Sequence, residues 1–379
     1  MSGGEEGTGA ADAARTGGTG ARVLREDAGP YEIVHLDTGV LRVSAIPALG
    51  GRILSARFGG HELLYRNRRL LDDDLRPRPG VRPGPHDGPM SAWLNWGGDK
   101  TWPAPQGWGG PGAWAGPPDP VLDSGAYELT VDRAEAAAGA AGFTLTSAID
   151  PRTGLRLRRR ISAAAGEAAY RLDLVATNES ASPVRWALWN VTQVPGAAPG
   201  AHPSGGVYVG LAGGGAAPTI GLVAGTGTPV AHAHTPGVLR VPHQDVVGKI
   251  GFPDASGWLA YVSERGTLTQ RFAVDGTAAY PDRGSRAEVW LEHPVDEPLE
   301  HLGGLAPNER IVECEVLGPW QWLAPGESTR LTVECGFGPA VGAVEEVTGA
   351  GFRAVGESGG GEVFVPFRDG SAGPPNGPA

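Results

Sequence analysis

Residues 311–338 read "IVECEVLGPWQWLAPGESTRLTVECGFG". Apolar and polar residues alternate in the two flanking runs, "IVECEVLG" and "STRLTVECGFG", and the Pro-Gly turn signal "LAPGES" lies between them. Alternation with period two marks a strand with one buried face, so the stretch predicts strand, turn, strand. On the first run Glu313 and Glu315 then share one face, while Cys314 and Val316 take the other. The chain has two cysteines, Cys314 and Cys335, placed about symmetrically around the turn, a spacing that permits them to face each other across a hairpin.

The same pattern recurs along the chain in "YEIVHLD", "RILSARF", "GFTLTSAID", "VRWALWNVTQV", "WLAYVSE" and "AEVWLEH", with Gly, Pro, Asn or Asp between the runs. Helical periodicity is nearly absent, since "RAEAAAGAAG" is alanine-rich but broken by glycine. A continuous series of short strands without a linker predicts an all-β fold, one large antiparallel β-sandwich in a single domain with a long irregular loop. Residues 1–28 lack periodicity and are expected to form a disordered tail. The sandwich is expected over 29–345, followed by a C-terminal extension, 346–379, whose last part is disordered.

Lys and Arg number 31 against 42 Asp and Glu, a net charge of −11, and no basic stripe interrupts the acidic balance. Nucleic acid and anionic membrane surfaces are thereby excluded as expected partners. No run of ~18 apolar residues is present to span a membrane. The opening "MSGGEEGTGAADAARTGGTG" has neither a basic region nor an apolar core, which points to a cytoplasmic setting where both thiols stay free.

The irregular stretch from Arg66 to Pro120 is too long for an ordinary connection, and it gathers Trp93, Trp96, Trp102, Trp108 and Trp114. An indole offers a broad apolar face with one N–H donor, which suits a pyranose ring. Trp96, Trp102 and Trp108 are expected to line a cleft together with Lys100 and its neighbour Asp99. The competing expectation is a small core under the loop, with Asp99 and Lys100 as a surface ion pair. Lys100 and Lys249 are the only lysines. A buried lysine can lose its proton and serve as acid or base, which arginine cannot, although each could instead form an ion pair, with Asp99 or Asp245. Trp186 and Trp189 point to opposite faces of their strand, and Trp189 with Gln193 is the expected cleft pair. His61, His86, His202 and His243 lie in loop-like surroundings. His232 and His234 share a face but lack a third ligand, so no metal site is predicted.

Three further stretches act together: "IPALGGRILSARFGGHELLYRN" at 46–67, "NWGGDKTWPAPQGW" at 95–108, and the late series "KIGFPDASGWLAYVS", "YPDRGSRAEVWLE" and "VECEVLGPWQWLAPGES". The set resembles the galactose mutarotase-like (aldose 1-epimerase) superfamily, and within it a bacterial family of unknown function. The resemblance implies a β-supersandwich with a carbohydrate cleft, a small-molecule ligand, no cofactor, and isomerase chemistry on sugar anomers in which a glutamate is the base and a histidine the acid. The superfamily glutamate precedes an L-x-P-G-E turn, which matches Glu315 with Glu313 beside it. The same motifs add Arg52, Gln106, Lys249, Tyr280 and Asp282 as candidate cleft residues. Where the superfamily has an N-x-T-N-H pattern, this chain reads Asn190, Val191, Thr192, Gln193, Val194. Its H-G-x-x-R loop is replaced by "GGDKTW". Both histidines are missing, so the acid is expected from Lys100 or from a division of roles between Glu313 and Glu315. The functional expectation is a carbohydrate-active protein acting on a pyranose or glycosylated small molecule. Its alternatives are a non-catalytic carbohydrate-binding protein and a scaffold recruited for cyclisation or isomerisation in secondary metabolism.

Overall fold

A computed structural model describes residues 20–107, 112–132, 139–213, 219–348, 350–356 and 362–366. Two antiparallel sheets face each other. The first has twelve strands; across its centre the neighbours run Arg52–Phe58, Asp99–Ala104, Val184–Pro195, Ile311–Leu317, Ala287–Glu292, Gly248–Phe252 and Ile220–Ala224. The second has ten, with Leu155–Ala164, Ala169–Asn178, Ser328–Gly338, Gly266–Phe272 and Ala255–Ser263 in its middle. The all-β, antiparallel expectation is met.

The core lies between the sheets. Val43, Val289, Val316 and Cys314 from the first meet Ile161, Leu172, Val333 and Cys335 from the second. Burying each large apolar side chain there contributes about 1.5–3 kcal/mol. A polar seam crosses this core. Arg159 of the second sheet pairs with Asp99 of the first, with both side chains wholly enclosed. Asn190 Nδ2 and Thr192 Oγ1 donate to the other Asp99 oxygen at 2.7 and 2.5 Å, and Gln270 Nε2 reaches Thr192 at 2.8 Å. Buried charge is tolerated only with such partners.

Two boundaries and one strand pairing differ from expectation. Strand Arg22–Asp27 already pairs with Glu32–Asp37, inside the stretch expected to be a tail; its sequence "RVLRED" is mostly exposed, so it carries little apolar alternation. The C-terminal extension begins earlier, at Val341, and is a three-stranded sheet, Val341–Thr348, Gly351–Gly356 and Glu362–Pro366. Its Val341, Val344 and Phe352 pack on Tyr208, Trp258 and Val262 of the second sheet. Residues 1–19 and 367–379 lie outside the described residues. Finally, Ile311–Leu317 and Ser328–Gly338 are not hairpin partners, because after Leu317 the chain forms a short strand, Gln321–Leu323, against Val184–Trp186 and then changes sheet. Cys314 and Cys335 are therefore on opposing sheets, free and buried.

The loop before Lys100 is fixed by backbone contact. Gly97 and Gly98 both have positive φ, 91° and 76°. A Cβ at Gly98 would lie 2.1 Å from the Ile53 carbonyl oxygen, and one at Gly97 2.4 Å from that of Tyr65. Only glycine allows this close approach, which starts the Asp99–Ala104 strand in register.

Candidate functional site

Because side chains alternate, five adjacent strands of the first sheet aim one set of residues away from the second sheet. Lys100 lies opposite Val191, which in turn lies opposite Glu315; Gln193 lies opposite Glu313. Glu288 and Trp290 lie opposite Glu315 and Glu313, and Lys249 lies opposite Trp290. The face thus carries Lys100, Trp102, Trp189, Gln193, Glu313, Glu315, Glu288, Trp290, Glu292 and Lys249.

Two charge groups form on it. In the first, Lys100 Nζ donates to Glu313 Oε1 at 3.1 Å and Gln193 Nε2 donates to the same oxygen at 2.6 Å. Burial pulls the Lys100 pKa down, Glu313 opposes that shift, and nearby Arg52 reinforces it. In the second, Lys249 Nζ lies 2.7 Å from Glu315 Oε2 and 3.2 Å from Glu288 Oε2. Burial works against the Lys249 charge, but the two carboxylates outweigh it and hold its pKa above the ordinary lysine value. Glu315 is raised by burial against the pull of Lys249, and Glu288 is raised well above a normal carboxyl. Two enclosed carboxyls share one ammonium, so each is held above the ordinary carboxyl range by burial and by a neighbouring carboxylate, Glu313 for Glu315 and Glu315 for Glu288.

Glu292 interacts electrostatically with the first of these groups. Burial pushes its pKa up to about 7, and repulsion by Glu313 adds to this, while the Trp290 hydrogen bond and Lys100 hold it back. Trp290 Nε1 donates to Glu292 Oε1 at 2.9 Å. At neutral pH this carboxyl is divided between its two forms and can give or take a proton.

Indoles wall the site. The Trp102 ring lies 4.9 Å from Trp114, 5.3 Å from Trp189 and 6.4 Å from Trp93. Lys100 Nζ sits 4.9 Å from the centre of Trp102 and Lys249 Nζ 4.2 Å from that of Trp189, so ring faces help stabilise both buried ammoniums. A pocket opens here, lined by Trp93, Trp102, Gln106, Trp189, Lys249, Trp290, Glu292 and Glu313, and by Met90, Pro117, Val223 and Leu305. The space between these side chains is about 440 Å³ counted out to the open mouth, but the centre of a water molecule has about 40 Å³ to move in. It is a narrow slot with room for water, and Met90, Pro117 and Leu305 belong to connecting segments rather than to the sheet.

Of the residues expected from sequence, Lys100, Glu313, Glu315, Trp102, Trp189, Gln193, Gln106 and Lys249 come together. Glu315 is wholly enclosed beneath the pocket, where it also accepts from Trp189 Nε1 at 2.6 Å; Glu313 is the carboxylate of the pair that lines the pocket. Asp99 is a correction. It sits in a strand, so alternation sends it to the opposite face from Lys100, into the seam with Arg159. Trp96 is another. It packs with Leu49, Leu54, Leu71 and Leu75 in a small core under the loop, away from the pocket. Arg52 is buried in an ion pair with Asp123, whose other oxygen accepts from Trp93 Nε1 at 2.9 Å, so it anchors the loop instead of lining the slot. Tyr280 is buried with its hydroxyl accepting from the Asp275 backbone N–H, and it too lies outside the pocket lining. Asp282 occupies a turn at φ 48° whose pKa is raised by burial and opposed by Lys249, at the edge of the second charge group. Trp108 lies outside the described residues.

Sequence reading did not single out Glu288, Trp290 and Glu292. They occupy alternate positions of "AEVWLE", and that spacing was their only local signal. Among the described residues no group of three or more His, Cys, Asp or Glu side chains is arranged to hold a metal. His234 packs edge-on against Tyr208 at 4.9 Å. Among the described residues no helix is long and apolar enough to cross a membrane.

Fold and site define a two-sheet β-sandwich carrying an indole-walled slot floored by paired lysines and glutamates. The family described as "Domain of unknown function (DUF4380)" matches residues 32–333, and the chain belongs to that family. A search of the curated proteins finds no match. Among solved structures, a TPR-domain containing protein from Parabacteroides distasonis aligns at 13% identity and a TM-score of 0.53, over 84% of this chain and 54% of that one. The chain therefore spans about half of that protein, and the likeness is one of fold. A galactose mutarotase-like protein from Lactobacillus casei aligns at 10% identity and a TM-score of 0.47, over 80% of this chain and 99% of that one. A galactose mutarotase related enzyme from Lactobacillus acidophilus aligns at 8% identity and a TM-score of 0.42, over 83% and 97%.

Proposed function

We propose that the slot binds a pyranose or a glycosylated small molecule and moves protons on it by general acid and base catalysis. The observation that carries this reading is the pair Glu313 and Glu292 in one indole-lined pocket. Glu313 accepts two hydrogen bonds from Lys100 and Gln193, partners suited to its carboxylate form. Glu292, whose pKa is about 7, supplies a proton at neutral pH. Glu292 pairs across the strands with Ile311, two residues from Glu313, and diagonal neighbours of this kind stand about 7–8 Å apart. Both carboxyls line the same pocket from neighbouring strands, so a hydroxyl and a ring oxygen can be addressed by different carboxyls, and the indole faces supply the apolar contact that a sugar ring takes.

In this reading Glu313 is the base and Glu292 the acid, which compensates for the superfamily histidines that the chain lacks. Glu315, Glu288 and Lys249 lie beneath as a charged floor, and Trp102, Trp189 and Gln106 hold the ligand. Because the slot is narrow, ligand entry requires Met90, Pro117 or Leu305 to give way. The test is an NMR anomer-exchange assay of the full chain against a panel of aldopyranoses and of reducing glycosyl sugars that keep a free anomeric hydroxyl, paired with tryptophan fluorescence titration. Faster exchange for at least one member supports the reading. Binding without any acceleration would replace it with a non-catalytic carbohydrate-binding role.

A further inference from the structure

The charges of the slot are not balanced from within, and this bears on what the ligand carries. Lys249 is the one cation among the described side chains lining the pocket, and Glu315 and Glu288 already hold it, at 2.7 and 3.2 Å. Lys100, just beneath, is taken by Glu313 at 3.1 Å. The buried guanidinium groups nearest the site are likewise committed, Arg52 to Asp123 and Arg159 to Asp99. Among the described residues that line the pocket or lie just beneath it, no cation is left to receive a ligand carboxylate or phosphate.

Glu292 is the opposite case. It lines the pocket, is 7% exposed, and among the described residues it forms no ion pair. Trp290 Nε1 fixes its Oε1 at 2.9 Å, and among the described residues no donor is bonded to its Oε2. A second lining group is also unsatisfied: Trp102 Nε1 is buried without a hydrogen-bond partner. An oriented carboxyl without a cation, set among indole faces, matches an ammonium group, which gains both a charge-assisted hydrogen bond and cation–π contact.

We propose that the ligand of this slot is amino-bearing, and that its ammonium docks on Glu292 beside Trp290. The inference deepens the pyranose reading and rests on the same pocket being the ligand site; an ammonium seated on Glu292 holds it as a carboxylate, so the acid role given to Glu292 above is confined to ligands that carry no ammonium. It predicts an amino sugar rather than a neutral or acidic one.

The test is calorimetric titration of the full chain at pH 7 with two matched trios: glucosamine, glucose and glucuronate, and galactosamine, galactose and galacturonate. 2-Aminoethanol serves as an ammonium without a sugar ring. In at least one trio the amino sugar is expected to bind about tenfold or more tighter than the neutral sugar, with the uronate weakest. Glu292→Gln is expected to bring the amino-to-neutral ratio to about one, and Glu292→Asp to restore part of it. Both variants are checked for native melting, so the aspartate variant carries the test if the glutamine variant does not fold. Neutral sugars binding as tightly as amino sugars, or a preference that survives Glu292→Gln, would overturn the inference while leaving the pyranose reading intact. If no sugar binds but 2-aminoethanol does, in a Glu292-dependent way, the ammonium inference holds and the pyranose reading falls. Absence of both overturns it.

Discussion

Lys100 and Glu313 belong to strands that do not touch, yet their side chains meet at 3.1 Å across the strand Val184–Pro195 that separates them. Gln193 of that middle strand donates to the same Glu313 oxygen. The three residues form a clasp over the sheet, with Trp102 capping the ammonium. Removing one member of a buried ion pair strands the other, at a cost of about 3–5 kcal/mol. Lys100→Met keeps the apolar stem and is expected to lower stability by roughly that amount in urea unfolding, and the double variant Lys100→Met with Glu313→Gln to recover part of the loss. A Lys100→Met protein as stable as wild type would show that the clasp contributes nothing.

Asp99, next in sequence to Lys100, faces the other way into the seam with Arg159, Asn190 and Thr192. Asp99→Asn is therefore expected to destabilise the fold by about 3–5 kcal/mol with little change in ligand affinity. Thermal melting and calorimetric titration of one preparation separate these effects. A loss of affinity at unchanged stability would place Asp99 in the ligand site.

Stability should also report Glu292. Its folded pKa of about 7 lies above the ordinary value of 4.5, so the folded state holds the proton more tightly than the unfolded chain. The stabilisation is fully present below pH 4.5 and is lost as pH rises through 7, at most about 3 kcal/mol. Wild type is expected to lose stability relative to Glu292→Gln between pH 5 and 8. Parallel pH curves for the two proteins would contradict the raised pKa.

Cys314 and Cys335 are enclosed between the sheets, and burial raises both thiol pKa values. Alkylation is expected to be slow in the native protein and to reach both thiols only after unfolding. Rapid native labelling would mean that the sandwich opens more readily than its packing implies.

Period two made the strands legible, and with them the division of Glu313 and Glu315 from Cys314. The scarcity of lysine drew attention to Lys100 and Lys249, and alternation separated Trp189 and Gln193 from Trp186. What alternation cannot supply is which strand lies beside which. Glu288, Trp290 and Glu292 enter the site because Ala287–Glu292 pairs with Ile311–Leu317, a register set by distant parts of the chain. The apparent hairpin of 311–338 failed for the same reason, since the two runs belong to different sheets. Asp99 was misplaced because "GGDKTW" looked like loop. The two glycines end the loop, and the strand begins at Asp99 itself. Trp96 and Trp102 lie on either side of that turn, one in a small core and the other in the slot.

If Glu313 performs proton transfer on a bound sugar, Glu313→Gln exposes it, because the amide keeps the shape and removes the base. The measurement is anomer exchange by NMR on a responding substrate, with kcat and KM determined separately for wild type and variant. In the variant kcat is expected to fall by about 10²–10⁴-fold while KM changes little. Exchange at the wild-type rate in the Glu313→Gln protein would contradict it.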